Sequence, residues 1–295
     1  MPFYLQISVD DPARSPPVWQ VEATEAKRID VSDSPLGKFQ AEPGKDMLTT
    51  LRMRFPTDGT TFHKLELGPG EYYPGMARPV AGESPGRNQD RSDSAVHMRT
   101  STTGQLHALI QQLEQICRVV QPDESNFQAF GHEIRNLLIL ACTEVETQWK
   151  SILKSNDVAA ENTKDYVKLA SPMKLSEYSV EFPYYPWIPA IRPFDNWHLG
   201  TQTPTKDLKW YNAYNKVKHD RESNFKQASL GHAFEAMAGF FVMLCGQYGW
   251  DFALAGEAAS RAFFRLNNYP QWSYSEYYVP PFGSPLRAKK YKFSA

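Results

Sequence analysis

Residues 1–75 alternate apolar and polar positions with a period of two, which is the pattern of β-strands. The apolar members of the clearest runs are Phe3, Leu5, Ile7 and Val9, then Leu51, Met53 and Phe55, then Leu65 and Leu67. Groups of Pro, Gly and Asp separate these runs, and residues 57–60, Thr-Asp-Gly-Thr, have the composition of a hairpin turn. The segment predicts a β-rich N-terminal module of about four or five strands.

Residues 76–97 are polar, rich in Pro and Gly, and without periodicity, so they predict a linker or a long surface loop. Beyond them, apolar residues recur at spacings of three and four, which is typical of amphipathic helices. The predicted helices are one from about residue 98 to Pro122, with Ser101 or Thr102 as its cap, one from about Asn126, one starting at Thr203-Pro204, one over 229–247 and a short one near 252–266.

The predicted fold class is therefore α+β: a predominantly helical bundle over 98–266, preceded by the small β-rich module. Two segments interrupt or follow the bundle, a Pro- and aromatic-rich insertion at 171–200 and an aromatic tail with a basic end at 267–295. Their aromatic rings would either pack on the bundle, which we favour, or stack single-stranded bases. The β-rich module and the basic tail are also candidate docking regions for a protein partner.

Composition narrows the function classes. The formal net charge of the chain is −1, so no global field attracts nucleic acid or membrane, and a nucleic-acid surface would have to be a local patch. Cys117, Cys142 and Cys245 are far apart in the sequence, which predicts free thiols, a reducing compartment and no zinc site. With neither a leader-like segment nor a membrane span in the sequence, we expect a cytoplasmic protein without a metal or other cofactor.

The segment 209–222 carries the strongest candidate chemistry. Its helical spacing predicts a single polar face formed by Asn212, Asn215, His219 and Glu222. His219 would act as general base or acid, because a neutral imidazole titrates near physiological pH, and Asn215 would orient it or hold a phosphate.

Three cations, Lys216, Lys218 and Arg221, lie within the same two turns, and together with Asn212 they are the candidate phosphate-binding residues. The competing interpretation is a solvated helix face in which Lys218 pairs with Glu222.

Glu144, on the predicted second helix, has apolar neighbours at Leu140, Ala141 and Val145. A partly desolvated carboxylate requires a partner, which the sequence offers as Lys218 or His219. A structural tie between helices is favoured over a catalytic pairing.

Residues 131–146 and 210–221, whose sequences include Gly-His-Glu-Ile-Arg-Asn and Trp-Tyr-Asn-Ala-Tyr-Asn-Lys-Val-Lys-His-Asp-Arg, resemble the HEPN superfamily. The resemblance covers about residues 100–250 and implies an up-and-down helical bundle that commonly forms homodimers. In the nuclease members, an arginine with a polar residue after it precedes a histidine, and dimerisation joins two such motifs for metal-independent RNA cleavage. Asn215 and His219 match the polar residue and the histidine, whereas Tyr214 stands in the position of the arginine.

Two functions follow from this resemblance. The first is a metal-independent ribonuclease of the toxin or defence type, with His219 and Asn215 as catalytic residues. The second is a non-catalytic module that binds a nucleotide, an RNA or a protein partner and acts as a regulatory subunit, which the missing motif arginine favours.

Overall fold

The computed structural model describes residues 1–8, 16–31, 37–56, 59–83, 90, 92–249, 263–283 and 285–294. The chain forms two compact units. The sheet unit comprises Met1–Tyr72, Arg78–Gln89 and Trp272–Lys289, and the helical unit comprises Tyr73–Ala77, Asp90–Gln271 and Lys290–Ala295.

The described helices are α1 Met47–Arg54, α2 Asp93–Cys117, α3 His132–Ser155, α4 Thr163–Tyr166, α5 Pro204–Asp207, α6 Lys209–His219, α7 Arg221–Asn224 and α8 Leu230–Tyr248. The described strands are β1 Phe3–Ile7, β2 Val18–Val21, β3 Glu25–Arg28, β4 Lys38–Gln40, β5 Thr61–Lys64, β6 Glu71–Tyr72, β7 Ser179–Glu181, β8 Arg265–Asn268 and β9 Arg287–Ala288. The α+β class with an N-terminal β module is confirmed.

The sheet unit is built on a five-stranded antiparallel sheet in the order β4-β3-β2-β1-β5. Alternation along the strands sends Leu5 and Val18 to one face and Trp19 and Val21 to the other. Both faces are covered, because the first packs with Ala81 and Val279 and the second packs with α1. All five strands of this sheet lie within residues 1–75, where four or five were predicted, and β6 is a sixth described strand of that segment.

The prediction of a strand at Leu51, Met53 and Phe55 is wrong, because these residues lie in or directly after helix α1. Asp46 caps this helix by accepting a hydrogen bond from the Thr49 backbone N–H at 2.9 Å, and this local cap outweighs the short alternating pattern. The predicted hairpin at 57–60 therefore has no strand before it. Its residues 57 and 58 lie outside the described part of the chain.

The predicted linker at 76–97 is also wrong over much of its length. Met76 belongs to the core of the helical unit, and Val80 and Ala81 are buried in the sheet unit. Its last residues form the first turn of α2, which is capped by Ser92 instead of the expected Ser101 or Thr102. Within the described part of this Pro- and Gly-rich segment, residues 76–78 and 80–81 are buried.

Three further boundaries differ from the sequence prediction. The helix expected from Thr203-Pro204 is divided at Leu208, whose φ of −93° and ψ of 94° separate α5 from α6. Helix α3 begins at His132 instead of near residue 126, because a short 3₁₀ turn over Glu124–Asn126 comes first. Of the short helix expected near 252–266, residues 252–262 lie outside the described residues, and Arg265 and Leu266 belong to strand β8. The helix predicted over 229–247 is confirmed as α8.

Of the three longest described helices, α3 and α8 run in the same direction and α2 runs in the opposite direction. Helices α3 and α8 run parallel, since Phe130 bridges Ser229 near their starts and the side chain of Gln247 donates to that of Gln148 further along at 3.0 Å. The first part of helix α2 lies beside the end of α8, because the guanidinium of Arg99 in α2 is 5.4 Å from the centre of the Tyr248 ring in α8. Its apolar face then joins the common core.

A cluster of buried aromatic rings around Trp149 of α3 forms the centre of this core. Its ring stacks on Tyr166 at a centroid distance of 5.1 Å and on Trp197 at 4.9 Å, and it meets Tyr211 edge-on at 5.2 Å. Trp197 belongs to the Pro- and aromatic-rich insertion, so packing on the bundle is confirmed for this part of the insertion. Two aromatic side chains of the insertion are about half exposed to solvent, Tyr184 at 55% and Trp187 at 50%.

The basic residues at the end of the tail form ion pairs within the unit to which each belongs. Within the sheet unit, Arg287 and Lys289 lie 4.0 and 3.5 Å from the Glu71 carboxylate. Within the helical unit, Lys290 pairs with Asp157 at 3.2 Å. A partner that docks on these cations would have to displace intramolecular ion pairs.

Replacing Trp149 by Ala is expected to lower the free energy of unfolding by about 3–5 kcal/mol, because the ring is fully buried and its loss leaves a large cavity. Chemical denaturation monitored by circular dichroism measures the change. The half-exposed Trp187 provides the matched control, with an expected loss of about 1–2 kcal/mol for Trp187→Ala. Equal losses in the two variants would contradict a core centred on Trp149.

Candidate functional site

Helix α6 is fixed in the helical unit by one apolar face. Its buried residues are Trp210, Tyr211, Ala213, Tyr214 and Val217. The Trp210 indole N–H also donates to the Pro193 carbonyl at 2.9 Å, which fixes the start of the helix. The polar residues of α6 are therefore carried on a firmly packed support.

The predicted polar stripe is shorter than expected. Helix α6 ends at His219, and Asp220 leaves the helical conformation with φ −144° and ψ 88°. The Asp220 carboxylate accepts a hydrogen bond from the Ser223 backbone N–H at 3.2 Å and starts the separate helix α7, which contains Glu222. The expected position of Glu222 on the face of Asn215 and His219 is wrong, because the chain turns between them.

His219 is exposed at the end of α6, so its imidazole is open to a ligand. Asn215, one turn earlier, is half-buried, and its amide N–H donates to the Tyr211 carbonyl at 3.1 Å. That bond engages the carboxamide nitrogen with the helix backbone. Asn212 is half-buried on the same side of the helix.

The three candidate cations of this segment, Lys216, Lys218 and Arg221, are all exposed. Lys218 is held in place, since its ammonium donates to the Tyr214 hydroxyl at 2.8 Å and lies 5.0 Å from the centre of the same ring. This hydrogen bond, assisted by the charge of Glu146, raises the pKa of Lys218 above its usual value although burial opposes the shift. The alternative of a Lys218–Glu222 pair is replaced by a contact to Tyr214.

Tyr214 explains why the motif arginine has no place here. Its side chain is 1% exposed and packs against Tyr211 with ring centres 5.4 Å apart. An arginine at this position would have to bury its charge inside an aromatic core, which is strongly unfavourable. The cation nearest to this position is instead supplied one turn later by Lys218.

The carboxylate that faces α6 is Glu146, and the predicted tie through Glu144 is wrong. The Tyr211 hydroxyl donates to one oxygen of Glu146 at 2.5 Å, and the Lys150 ammonium lies 3.5 Å from the other. Residues two positions apart on a helix point to nearly opposite sides, so Glu144 faces away from this contact. Partial burial raises the pKa of Glu144 above its usual value.

Sequence reasoning also missed Lys150, Tyr166 and Tyr211 as members of this polar cluster. A signal existed, because Glu146 and Lys150 are spaced by four on α3 and can pair on one helix face. The partners from α4 and α6 are set by tertiary packing. Burial, followed by the hydrogen bond to Glu146, raises the pKa of Tyr211, so this phenol stays protonated.

Neither metal-binding geometry nor a membrane span is found in the described residues. No three His, Cys, Asp or Glu side chains of this part of the chain are grouped so that they could hold a metal ion. None of the described helices is long and apolar enough to cross a bilayer. Cys142 and Cys245 are both buried, and burial raises the pKa of the Cys142 thiol well above its usual value.

Comparison with known proteins gives no match: no protein-family model, no curated protein and no solved structure is similar to this chain.

Replacing Tyr211 by Phe is expected to lower the free energy of unfolding at pH 7 by about 1.5–3 kcal/mol, because Glu146 loses a hydrogen bond inside the bundle. The folded state raises the pKa of Tyr211 above its ordinary value of about 10. The stability that the Tyr211 hydroxyl contributes is therefore fully present below about pH 10, and it decreases as the pH rises above about 10. The stability difference between wild type and variant should shrink accordingly.

Denaturant titrations at a series of pH values measure this difference. The exposed Tyr184 serves as the control, since Tyr184→Phe removes an equivalent hydroxyl without affecting Glu146. Equal stability of wild type and Tyr211→Phe at pH 7 would show that the contact contributes nothing.

Proposed function

We propose that the helical unit binds RNA through the end of α6. This surface, which we call the α6 end, consists of Lys216, Lys218, His219 and Arg221, all of which are exposed. The observation that carries the proposal is that three exposed donors to phosphate, Lys216, Lys218 and His219, lie in the last turn of a helix with a buried face. The fourth, Arg221, follows two residues later at the start of α7. Binding there loses little conformational freedom of the backbone, because the support is already fixed.

The local charge supports an anionic ligand. Residues 216–226 contain four cationic side chains, those of Lys216, Lys218, Arg221 and Lys226, and two carboxylates. One of the carboxylates, that of Asp220, is occupied by the cap of α7. The excess of positive charge differs in sign from the chain as a whole, whose net charge is −1. Phosphate groups of a nucleic acid match such a patch.

The choice of RNA among phosphodiesters rests on the resemblance of the two helical segments to HEPN proteins. The binding function accords with Tyr214, because the arginine required in the nuclease members would not fit this buried position. A homodimer would place two α6 ends together and double the cationic surface. This arrangement is part of the proposal.

The double variant Lys216→Ala/Arg221→Ala should bind a fluorescein-labelled single-stranded RNA about tenfold more weakly than wild type at low salt. Each lost phosphate contact should also reduce the slope of log K against log salt by about 0.7. Fluorescence anisotropy at several salt concentrations measures both quantities.

The control is Lys27→Ala/Lys38→Ala, which removes the same amount of charge from two exposed, neighbouring positions of the sheet unit. Similar losses of RNA affinity in the two double variants would show that net charge, and not the α6 end, accounts for binding. Absence of RNA binding by the wild type at any salt concentration would remove the proposal.

A second candidate is metal-independent RNA cleavage, and the exposure of His219 favours it. The imidazole would take the proton of a ribose 2′-hydroxyl, whose oxygen would attack the adjacent phosphorus. The 5′-oxygen would leave with a proton from a general acid, for which His219 of a second copy is a candidate, and a 2′,3′-cyclic phosphate would remain. Lys218 and Arg221 would stabilise the negative charge that develops on the phosphate oxygens.

If this reaction occurs, His219→Ala should slow cleavage of total RNA or tRNA in the presence of EDTA by about 10²-fold or more. Gel electrophoresis with detection of cyclic phosphate ends provides the measurement. His198→Ala, which removes another exposed imidazole six residues after an arginine, is the matched control. Equal amounts of intact RNA with wild type and His219→Ala at high protein concentration would eliminate cleavage and leave binding as the function.

A further inference from the structure

A chain of contacts links a lysine on α3 to a lysine on α6. Lys150 on α3 lies 3.5 Å from the Glu146 carboxylate, which accepts the Tyr211 hydroxyl of α6. Tyr211 packs against Tyr214 with ring centres 5.4 Å apart, and Tyr214 accepts the Lys218 N–H. Tyr166 interacts with both ammonium groups, so the two lysines share the same surroundings. We call these two residues the lysine pair.

Buried tyrosines act on both ammonium groups of the pair. Tyr214, 1% exposed, accepts the Lys218 N–H at 2.8 Å, and Tyr166, 2% exposed, helps to raise the pKa of Lys150. Burial raises the pKa of Tyr166, so it stays neutral at physiological pH and does not cancel the charge of the lysines. A lysine that is anchored in this way has already lost rotamer freedom that binding an anion would otherwise remove.

The pair retains capacity for a further ligand. An ammonium group has three N–H donors, of which Lys218 uses one on Tyr214. Both side chains reach the surface, with Lys150 49% exposed and Lys218 exposed at the end of α6. The Glu146 carboxylate is 13% exposed, and one of its oxygens accepts the Tyr211 hydroxyl. The two ammonium groups are thus more exposed to a ligand than this carboxylate is.

We infer that the lysine pair is a subsite for one phosphate of a single-stranded RNA backbone, with Tyr214 as a positioning residue. The inference rests on the proposed RNA binding at the α6 end, and Lys218 belongs to both the α6 end and the lysine pair. The subsite extends that surface from α6 onto α3 and sets the direction in which the strand leaves the α6 end. Glu146 opposes phosphate binding and limits the affinity of the subsite.

Four variants of the full-length protein test this assignment by anisotropy with labelled oligouridylate. Lys150→Ala should weaken binding about threefold to tenfold and reduce the salt slope by about 0.7, because one phosphate contact is lost. Tyr214→Phe keeps both charges, so it should weaken binding a few fold while the salt slope stays that of the wild type. Lys150→Arg should keep most of the affinity, since it retains a cation at the same site.

Glu146→Gln gives the sharpest test, because it moves affinity in the opposite direction. Loss of the opposing charge should tighten RNA binding several fold, although the amide oxygen can still accept the Tyr211 hydroxyl. A purely structural role of the pair predicts that Glu146→Gln and Tyr214→Phe shift the unfolding midpoint and leave RNA affinity unchanged. That outcome would overturn the subsite.

The failures of the two proposals are distinguishable. If Lys216→Ala/Arg221→Ala weakens RNA binding while Lys150→Ala, Tyr214→Phe and Glu146→Gln do not change it, RNA binding stands and the subsite falls. If the wild type binds no RNA, both fall. Uridine 5′-monophosphate is the probe for a free nucleotide, and displacement of the oligonucleotide by an equal concentration of it would contradict a backbone phosphate as the ligand.

Discussion

The buried ring of Trp149 is the contact on which the helical unit depends. It joins α3 to Tyr166 of α4, to Trp197 of the insertion and to Tyr211 of α6, with ring centres about 5 Å apart in each case. Aromatic side chains bury a large apolar area with few rotatable bonds, so a cluster of them fixes the relative positions of the elements that contribute. Segments separated by many residues in the sequence are thereby held at defined positions around α6.

The packing of α6 decides which chemistry the helix can offer. Its inner face is filled by rings, so Tyr214 at the position of the motif arginine lies where a guanidinium would be desolvated. The outer face and the end of the helix remain in water and carry the imidazole of His219 and the cations beside it. The helix thus has an aromatic face that anchors it and an exposed end that carries the groups of the proposed phosphate site.

The polar cluster at Glu146 connects stability with the proposed binding. The hydroxyl of Tyr211 satisfies a carboxylate that would otherwise be poorly solvated. The same carboxylate helps keep Lys218 charged, while Tyr214 orients its ammonium. Groups that stabilise the contact between α3 and α6 also arrange a cation for a ligand, so preorganisation comes from the fold itself.

The sequence by itself determined the α+β class, the long helix α8, the buried face of α6 and the free thiols, because periodicity and spacing of apolar residues act within single elements. The helix at Leu51 and the turn at Asp220 depend on local caps by Asp46 and Asp220, which the spacing of apolar residues does not show. Only the tertiary structure decided that Glu146 instead of Glu144 faces α6. Glu146 and its partner Tyr211 are 65 positions apart in the chain. Which of two nearby carboxylates meets a distant helix depends on the rotation and register of both packed helices, and no local pattern encodes these.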